Sequence, residues 1–339
     1  MKGIFFKKIS IAVKNNNATL RKIVRLNSKV INWGIFTGLS IVWGSSFILM
    51  MKGLESLTAY QVASLRIVFS GIVLMPIAIR NFNKVPTQKL WLIFLSGVQG
   101  SLLPAYLFCL AETKIDSSLA GSLNALTPVF VLIMGLLFFK TIVPYNKIWG
   151  IAISFTGSIL LFFAQPLNNN IGTNALYTLL VIAATIMYGI NVNMVGKFLK
   201  GIPSLHIASI ALTLCAIPAL AVLIFTGYFN LPLMSTAILR ATGYSFILGV
   251  FGTAIASVFF YVLMKRAGMV FASTVTYAIP AVAIVWAILE MHKQIIFNSN
   301  LPLVQIINTI FFAWWKQFLC LLVILFGVYL ANKTVMKNS

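Results

Sequence analysis

Apolar runs of about 20 residues alternate with short polar breaks along this chain from residue 32 to residue 333. A helix rising 1.5 Å per residue needs about 20 apolar residues to cross a hydrocarbon layer of about 30 Å, and lipid offers no partner to an unpaired backbone group. The runs near 32–51, 58–79, 90–111, 117–139, 147–165, 174–196, 204–227, 241–263, 270–289 and 317–333 therefore predict ten membrane-spanning helices in an all-α membrane protein.

The pattern also repeats. Residues 94–130 laid on 246–282, an offset of 152, give identities at Phe94/Phe246, Gly97/Gly249, Val98/Val250, Gly100/Gly252, Phe108/Phe260, Ala120/Ala272 and Pro128/Pro280. Upstream, an offset of 145 matches Ile41/Ile186, Gly44/Gly189, Lys52/Lys197, Leu54/Leu199, Ala63/Ala208 and Ser64/Ser209. The predicted organisation is a basic tail over 1–31, a first five-helix repeat over 32–166 and a second over 173–333. Five crossings per copy force the two copies to be inverted, so the expected architecture is ten transmembrane helices as two inverted five-helix repeats.

Composition and charge sharpen this picture. The chain is 60% hydrophobic and 9% charged with mean hydropathy +0.99, far from the soluble average of about 25% charged. A net charge of +21 would suggest nucleic acid in a soluble protein, but here the basic residues fill the gaps between apolar runs, so no nucleic-acid partner is expected. With the N-terminus in the cytoplasm, 19 Lys and Arg fall on the inner side and five (Lys52, Lys114, Arg240, Lys293, Lys316) on the outer, while Arg66 lies within a span. That bias predicts a multi-pass protein of a bacterial inner membrane with both termini cytoplasmic. The first 31 residues carry eight Lys and Arg, which interrupt any signal-peptide core; they read as a cytoplasmic tail, with an amphipathic surface helix or an early start codon as alternatives. Cys109, Cys215 and Cys320 all lie in apolar runs without metal-ligand spacing, so they read as packing residues, and no cofactor or metal is expected.

The stretch WGSSFILMMKGLESLTAYQVASLR, with SLNALTPVFVLIMGLLF and its counterpart TVTYAIPAVAIVWAIL, resembles the EamA family of the drug/metabolite transporter superfamily. The closing QFLCLLVILFGVYLANK is similar to that family's last helix, and the likeness covers about residues 33–333. The resemblance implies ten helices in two inverted repeats and export of small metabolites such as amino acids. Two departures stand out. Twelve residues beyond Pro128 and Pro280, where the family usually carries Glu, this chain has Lys140 and His292, with Glu290 close by. Matching Gly157 to Gly327 needs an offset of 170, which leaves about 18 extra residues near 295–316; that segment is expected to be an interfacial or re-entrant hairpin rather than an eleventh span.

Several residues are candidates for the transport path. Pro128 and Pro280 interrupt spans four and nine, with Asn124 and Thr127 before the first and Thr276 and Tyr277 before the second. Such breaks either open carbonyls toward a midplane cavity or are kinks filled by neighbours. Span one offers Trp43, Ser45 and Ser46, and its counterpart Tyr188, Asn191 and Asn193. The small residues there also suit close helix contact, whereas an amide in lipid must find partners. Arg66 has two readings, an anchor reaching outward to Glu55, Glu112 or Asp116, or a counter-charge for a substrate carboxylate. Gln99 and Tyr106 in span three, with Thr253 and Tyr261 in span eight, complete the candidate lining, although the tyrosines also suit packing. His206, opening span seven, is either a proton-coupling group or a solvated interfacial side chain.

The function expected is a secondary transporter that exports a small molecule across the lipid by alternating access. A passive channel and a degenerate non-transporting paralogue remain as alternatives. An intramembrane enzyme would need a cluster of His, Asp and Glu at membrane depth, and two His with four acids do not supply it.

Overall fold

The computed structural model describes residues 2–115, 117–163, 175–282, 285–286 and 303–333, and among these the regular structure is entirely helical. Among the described residues, seven helical stretches are long and apolar enough to cross a membrane: Ser28–Leu54, Ala59–Lys84, Thr87–Glu112, Leu119–Leu137, Ala175–Phe198, Ser204–Phe225 and Thr236–Ala267. Shorter apolar helices occupy Met269–Val282 and Phe318–Ala331, and a further helix spans Tyr145–Phe163. Large apolar side chains such as Ile79, Trp91, Ile217 and Phe225 stay exposed on the flanks, as surfaces facing hydrocarbon require.

Helix α1 (Lys2–Leu54) joins the basic tail to the first span without a break. Thr58 starts α2 (Ala59–Asn81) with a capping box: its hydroxyl accepts the Gln61 N–H at 3.3 Å while Gln61 Oε1 accepts the Thr58 N–H at 3.0 Å. The third span is α3 (Thr87–Gly97) and α4 (Leu103–Glu112) joined by a π-helical turn, Val98–Leu102. The eighth repeats the device, with α10 (Thr236–Ile247) and α11 (Ala256–Ala267) joined by a longer π-helical turn, Leu248–Ile255. These wide turns fall at matching places of the repeat, where periodicity alone had predicted plain helices.

Spans four and nine break just before their prolines rather than at them. In the fourth, α5 (Ser117–Asn124) and α6 (Thr127–Leu137) meet at a turn over Ala125 and Leu126. Pro128 then sits in the first turn of α6, where its missing N–H leaves no intrahelical bond unmade. The ninth runs from α12 (Met269–Ser273) through a 3-10 turn, Thr274–Ala278, to Pro280. Lys140, beyond the end of α6, takes a left-handed φ of 52°, and the Thr141 N–H reaches back to the Gly135 carbonyl at 2.9 Å. It therefore occupies a helix-stop position where glycine is usual.

From Leu303 to Lys333 the chain is one helix of 31 residues, so the described part of the extra segment extends the last span instead of forming a hairpin. Residues 295–302, together with His292 and Glu290, lie outside the described residues.

Packing follows the two offsets. The most extensive helix contact is α2 with α9 (Ser204–Phe225), and the next is α7 (Tyr145–Phe163) with the last helix. Helix α1 packs on α10 and α11, while α8 (Ala175–Phe198) packs on α4 and α6. Close approaches at glycine are reciprocal. A Cβ added at Gly97 would lie 2.8 Å from the Ala211 carbonyl oxygen, and one at Gly249 would lie 2.7 Å from that of Arg66, the residue 145 before Ala211. Gly44 meets Val282 just as Gly189 meets Phe130, and Gly157 meets Ile324 just as Gly327 meets Ser154. Each of these positions admits no side chain, which is how backbones come together where no hydrophobic effect drives helix against helix.

Candidate functional site

Seven of the predicted spans converge on a cavity of about 100 Å³ between the two copies. Span one contributes Trp43, Ser46, Phe47 and Met50, and span two contributes Arg66. The π-turns bring Gly100 and Ser101 from one side and Gly252 and Thr253 from the other. Asn124, Thr127, Ser273, Thr276 and Ile279 come from the broken spans, and Tyr188, Asn191 and Val192 from α8. Phe108 and, from α11, Ser257, Phe260 and Tyr261 complete the wall.

The wall is knitted together by bonds that cross spans. Trp43 Nε1 donates to the Gly252 carbonyl at 3.0 Å, a carbonyl within the π-turn. Arg66 Nε donates to Thr253 Oγ1 at 2.6 Å, and the same hydroxyl reaches the Leu248 carbonyl five residues back at 3.3 Å. Tyr261 OH sits 2.9 Å from Ser96 Oγ and accepts from Asn191 Nδ2 at 3.4 Å. Thr127 Oγ1 donates to Asn124 Oδ1 at 3.2 Å, and Thr276 Oγ1 donates to the Ser273 carbonyl at 2.9 Å. Aromatic rings fill the remainder: Trp43 lies 5.3 Å from Phe260, and Phe108 stacks on Tyr188 at 6.3 Å.

Among the described lining residues Arg66 is the only charged one. Among the described residues its one hydrogen bond goes to Thr253, and the single ion pair joins Lys52 to Glu55 at 2.7 Å. No ion pair joins Arg66 to Glu55 or Glu112, although Glu112 lies within electrostatic reach of it, and Asp116 lies outside the described residues. Among the described residues no group of three or more His, Cys, Asp and Glu could hold a metal ion.

The residues chosen from sequence divide. Trp43, Ser46, Arg66, Asn124, Thr127, Tyr188, Asn191, Thr253, Tyr261 and Thr276 meet at the cavity. The others are placed elsewhere. Ser45 accepts from Trp286 Nε1 at 2.8 Å, and Tyr106 bonds Ser64 at 2.8 Å. Asn193 uses its amide to bind the carbonyls of Val131 and Gly189, both at 2.8 Å, and so fastens α8 to α6. Tyr277 is fully buried and donates to the Ile151 carbonyl at 3.2 Å. Gln99 stands in the first π-turn with Oε1 buried and unpartnered. Pro128 and Pro280 are buried behind the polar turns that precede them, and His206 lies at the start of α9, away from the cavity.

Most lining residues that sequence reasoning missed were within reach of the offsets. Ser101 is Thr253 shifted by 152, Ile279 is Thr127 shifted likewise, and Phe108/Phe260 is one of the identical pairs. Met50 and Ser257 carry no such signal, because their counterparts Val195 and Ala105 are buried packing residues.

A family model described as the EamA-like transporter family matches residues 32–163 and 175–314, and the chain belongs to that family. An uncharacterized transporter of Archaeoglobus fulgidus is 26% identical over 245 residues, covering 71% of this chain and 83% of its own. YedA of Escherichia coli K12, named as an uncharacterized inner membrane transporter, is 26% identical over 265 residues, 74% of this chain and 80% of its own. A solved structure described only as the crystal structure of a protein superposes with a TM-score of 0.61 at 14% identity, covering 90% of this chain and 98% of that one, which speaks for the fold alone. The molecule is thus a multi-pass membrane protein of a transporter family.

Proposed function

We propose that the chain is a secondary transporter that exports a small polar metabolite, such as an amino acid, by alternating access. In this reading ten spans form two inverted five-helix repeats with both termini in the cytoplasm. The observation that carries it is the make-up of the cavity wall. Trp43/Tyr188 and Ser46/Asn191 are matched at 145, and Gly100/Gly252, Ser101/Thr253, Phe108/Phe260 and Asn124/Thr276 at 152, so both copies supply the same places in one wall. A site shared in this way can be opened to one side by one arrangement of the copies and to the other by exchanging them.

The moving elements in this reading are the paired π-turns together with the broken spans beside them. A π-turn leaves the helical ladder locally unsettled, so small rotations can trade one set of bonds for another. Export is tested by loading cells with dipeptides and measuring efflux of each amino acid with and without the protein. Faster efflux of at least one amino acid is expected; no difference for any, with the protein correctly inserted, ends the amino-acid reading. Counterflow in proteoliposomes separates carrier from channel, since a channel gives no trans-stimulation.

A further inference from the structure

The cavity wall is reciprocal at most positions, and two of its side chains, Arg66 and Asn191, keep a polar capacity that their counterparts in the other copy lack. Arg66 corresponds at offset 145 to Ala211, a buried methyl. A guanidinium has five N–H donors; Nε uses one on Thr253, and the terminal nitrogens meet no acceptor among the described residues. Asn191 corresponds to Ser46, whose hydroxyl is occupied by the Val42 carbonyl at 2.8 Å. Asn191 itself is 3% exposed, gives Nδ2 to Tyr261, and leaves Oδ1 without a partner.

A cation beside apolar rings with no ion-pair partner and an empty buried acceptor both carry a desolvation cost. The other described lining residues are neutral, and Glu112, the acid within electrostatic reach of Arg66, lies outside the lining and makes no ion pair with it. A ligand relieves both costs if it brings an anion to Arg66 and an N–H or O–H to Asn191. We infer that the cargo is a small organic anion, carboxylate or phosphate, that also carries a hydrogen-bond donor, and that Arg66 and Asn191 are the residues that select it. The inference rests on the transport reading above and adds the sign and shape of the cargo. A cavity of about 100 Å³ keeps that cargo small, and Trp43 and Phe260 flank its apolar part. Cations are rejected by the same charge that holds anions.

The test uses the full chain, purified in detergent for thermal-shift titration and reconstituted for counterflow, with four small probes. Serine carries a carboxylate and donors, phosphoethanolamine a phosphate and a donor, propionate an anion alone, and ethanolamine donors without an anion. Serine or phosphoethanolamine is expected to bind about tenfold tighter than propionate, with no binding of ethanolamine, and the better of the two tells carboxylate from phosphate. Arg66→Gln is expected to weaken that better probe about tenfold or more, with Arg66→Lys recovering part of the loss. Asn191→Ala is expected to bring the better probe and propionate to within about threefold of each other, because only the donor contact is removed. Ethanolamine binding as tightly as the anions, no binding of any anion, or unchanged affinity in both Arg66 variants overturns the inference. Counterflow of ethanolamine alone would remove this inference and leave transport standing. Arg66-dependent anion binding without counterflow of any probe would do the reverse.

Discussion

The two π-helical turns occupy matching places in spans three and eight, yet different causes hold them. At Val98–Leu102 the cause is local: Pro104 has no N–H to give the Gly100 carbonyl four residues back, so the turn cannot close as an α-helix. At Leu248–Ile255 no proline is present, and Ala256 turns its N–H to the Phe251 carbonyl, five residues back. There Trp43 takes the Gly252 carbonyl and Arg66 takes the Thr253 hydroxyl, so two other spans keep the turn wide. One turn is built into the covalent chain, and the other is held by contacts that can be released. A cargo that engages Arg66 therefore acts on the second turn and leaves the first as a fixed frame.

The strongest way to break this comparison is to destroy the close approaches beneath the turns. Gly97→Val and Gly249→Val are each expected to cost about 3 kcal/mol, because the added carbons would overlap the Ala211 and Arg66 carbonyls. Thermal unfolding in detergent reads this, and unequal losses would show that the two contacts are not equivalent. Replacing Pro128 or Pro280 by Ala should slow counterflow about tenfold while abundance in the membrane stays within about twofold, since the breaks lie in the turns before them. Equal loss of abundance and rate would make the prolines structural only.

Trp43→Phe keeps a ring against Phe260 but deletes the bond to Gly252, and should slow counterflow about tenfold. Its counterpart Tyr188→Phe should stay within about twofold, because the Tyr188 hydroxyl makes no hydrogen bond among the described residues. Thr253→Val should cost about fivefold in rate against about twofold for Ser101→Ala, as only the threonine is tied to Arg66. The smallest effect expected is from Pro104→Ala. Restoring an N–H lets the first turn close, which should raise stability by about 0.5–1 kcal/mol and slow transport about twofold. A larger effect there than at Trp43 would reverse the assignment of frame and moving part.

Much of this was legible along the chain. Apolar run length marked the spans because hydrocarbon demands about 20 satisfied residues at a time. The offsets exposed Gly97/Gly249 and Gly100/Gly252, although composition alone could not say that the first pair meets a neighbouring carbonyl and the second lines the cavity. Asn193 shows the limit most plainly. It is two residues from Asn191 and of the same chemistry, but a rotation of about 200° around the helix turns it onto the backbone of α6 instead of the cavity.

The sequence by itself determined an all-helical membrane protein, the doubling of its pattern, and the family to which it belongs, because each is written in run length, spacing and local motif. Only the tertiary structure decided which polar side chains face one another. It hydrogen-bonded Arg66 to Thr253, 187 residues distant, and it left Asn191 Oδ1 open in a buried wall. Those outcomes depend on how seven spans rotate and approach, and the rotation of one helix is fixed by the surfaces of the others.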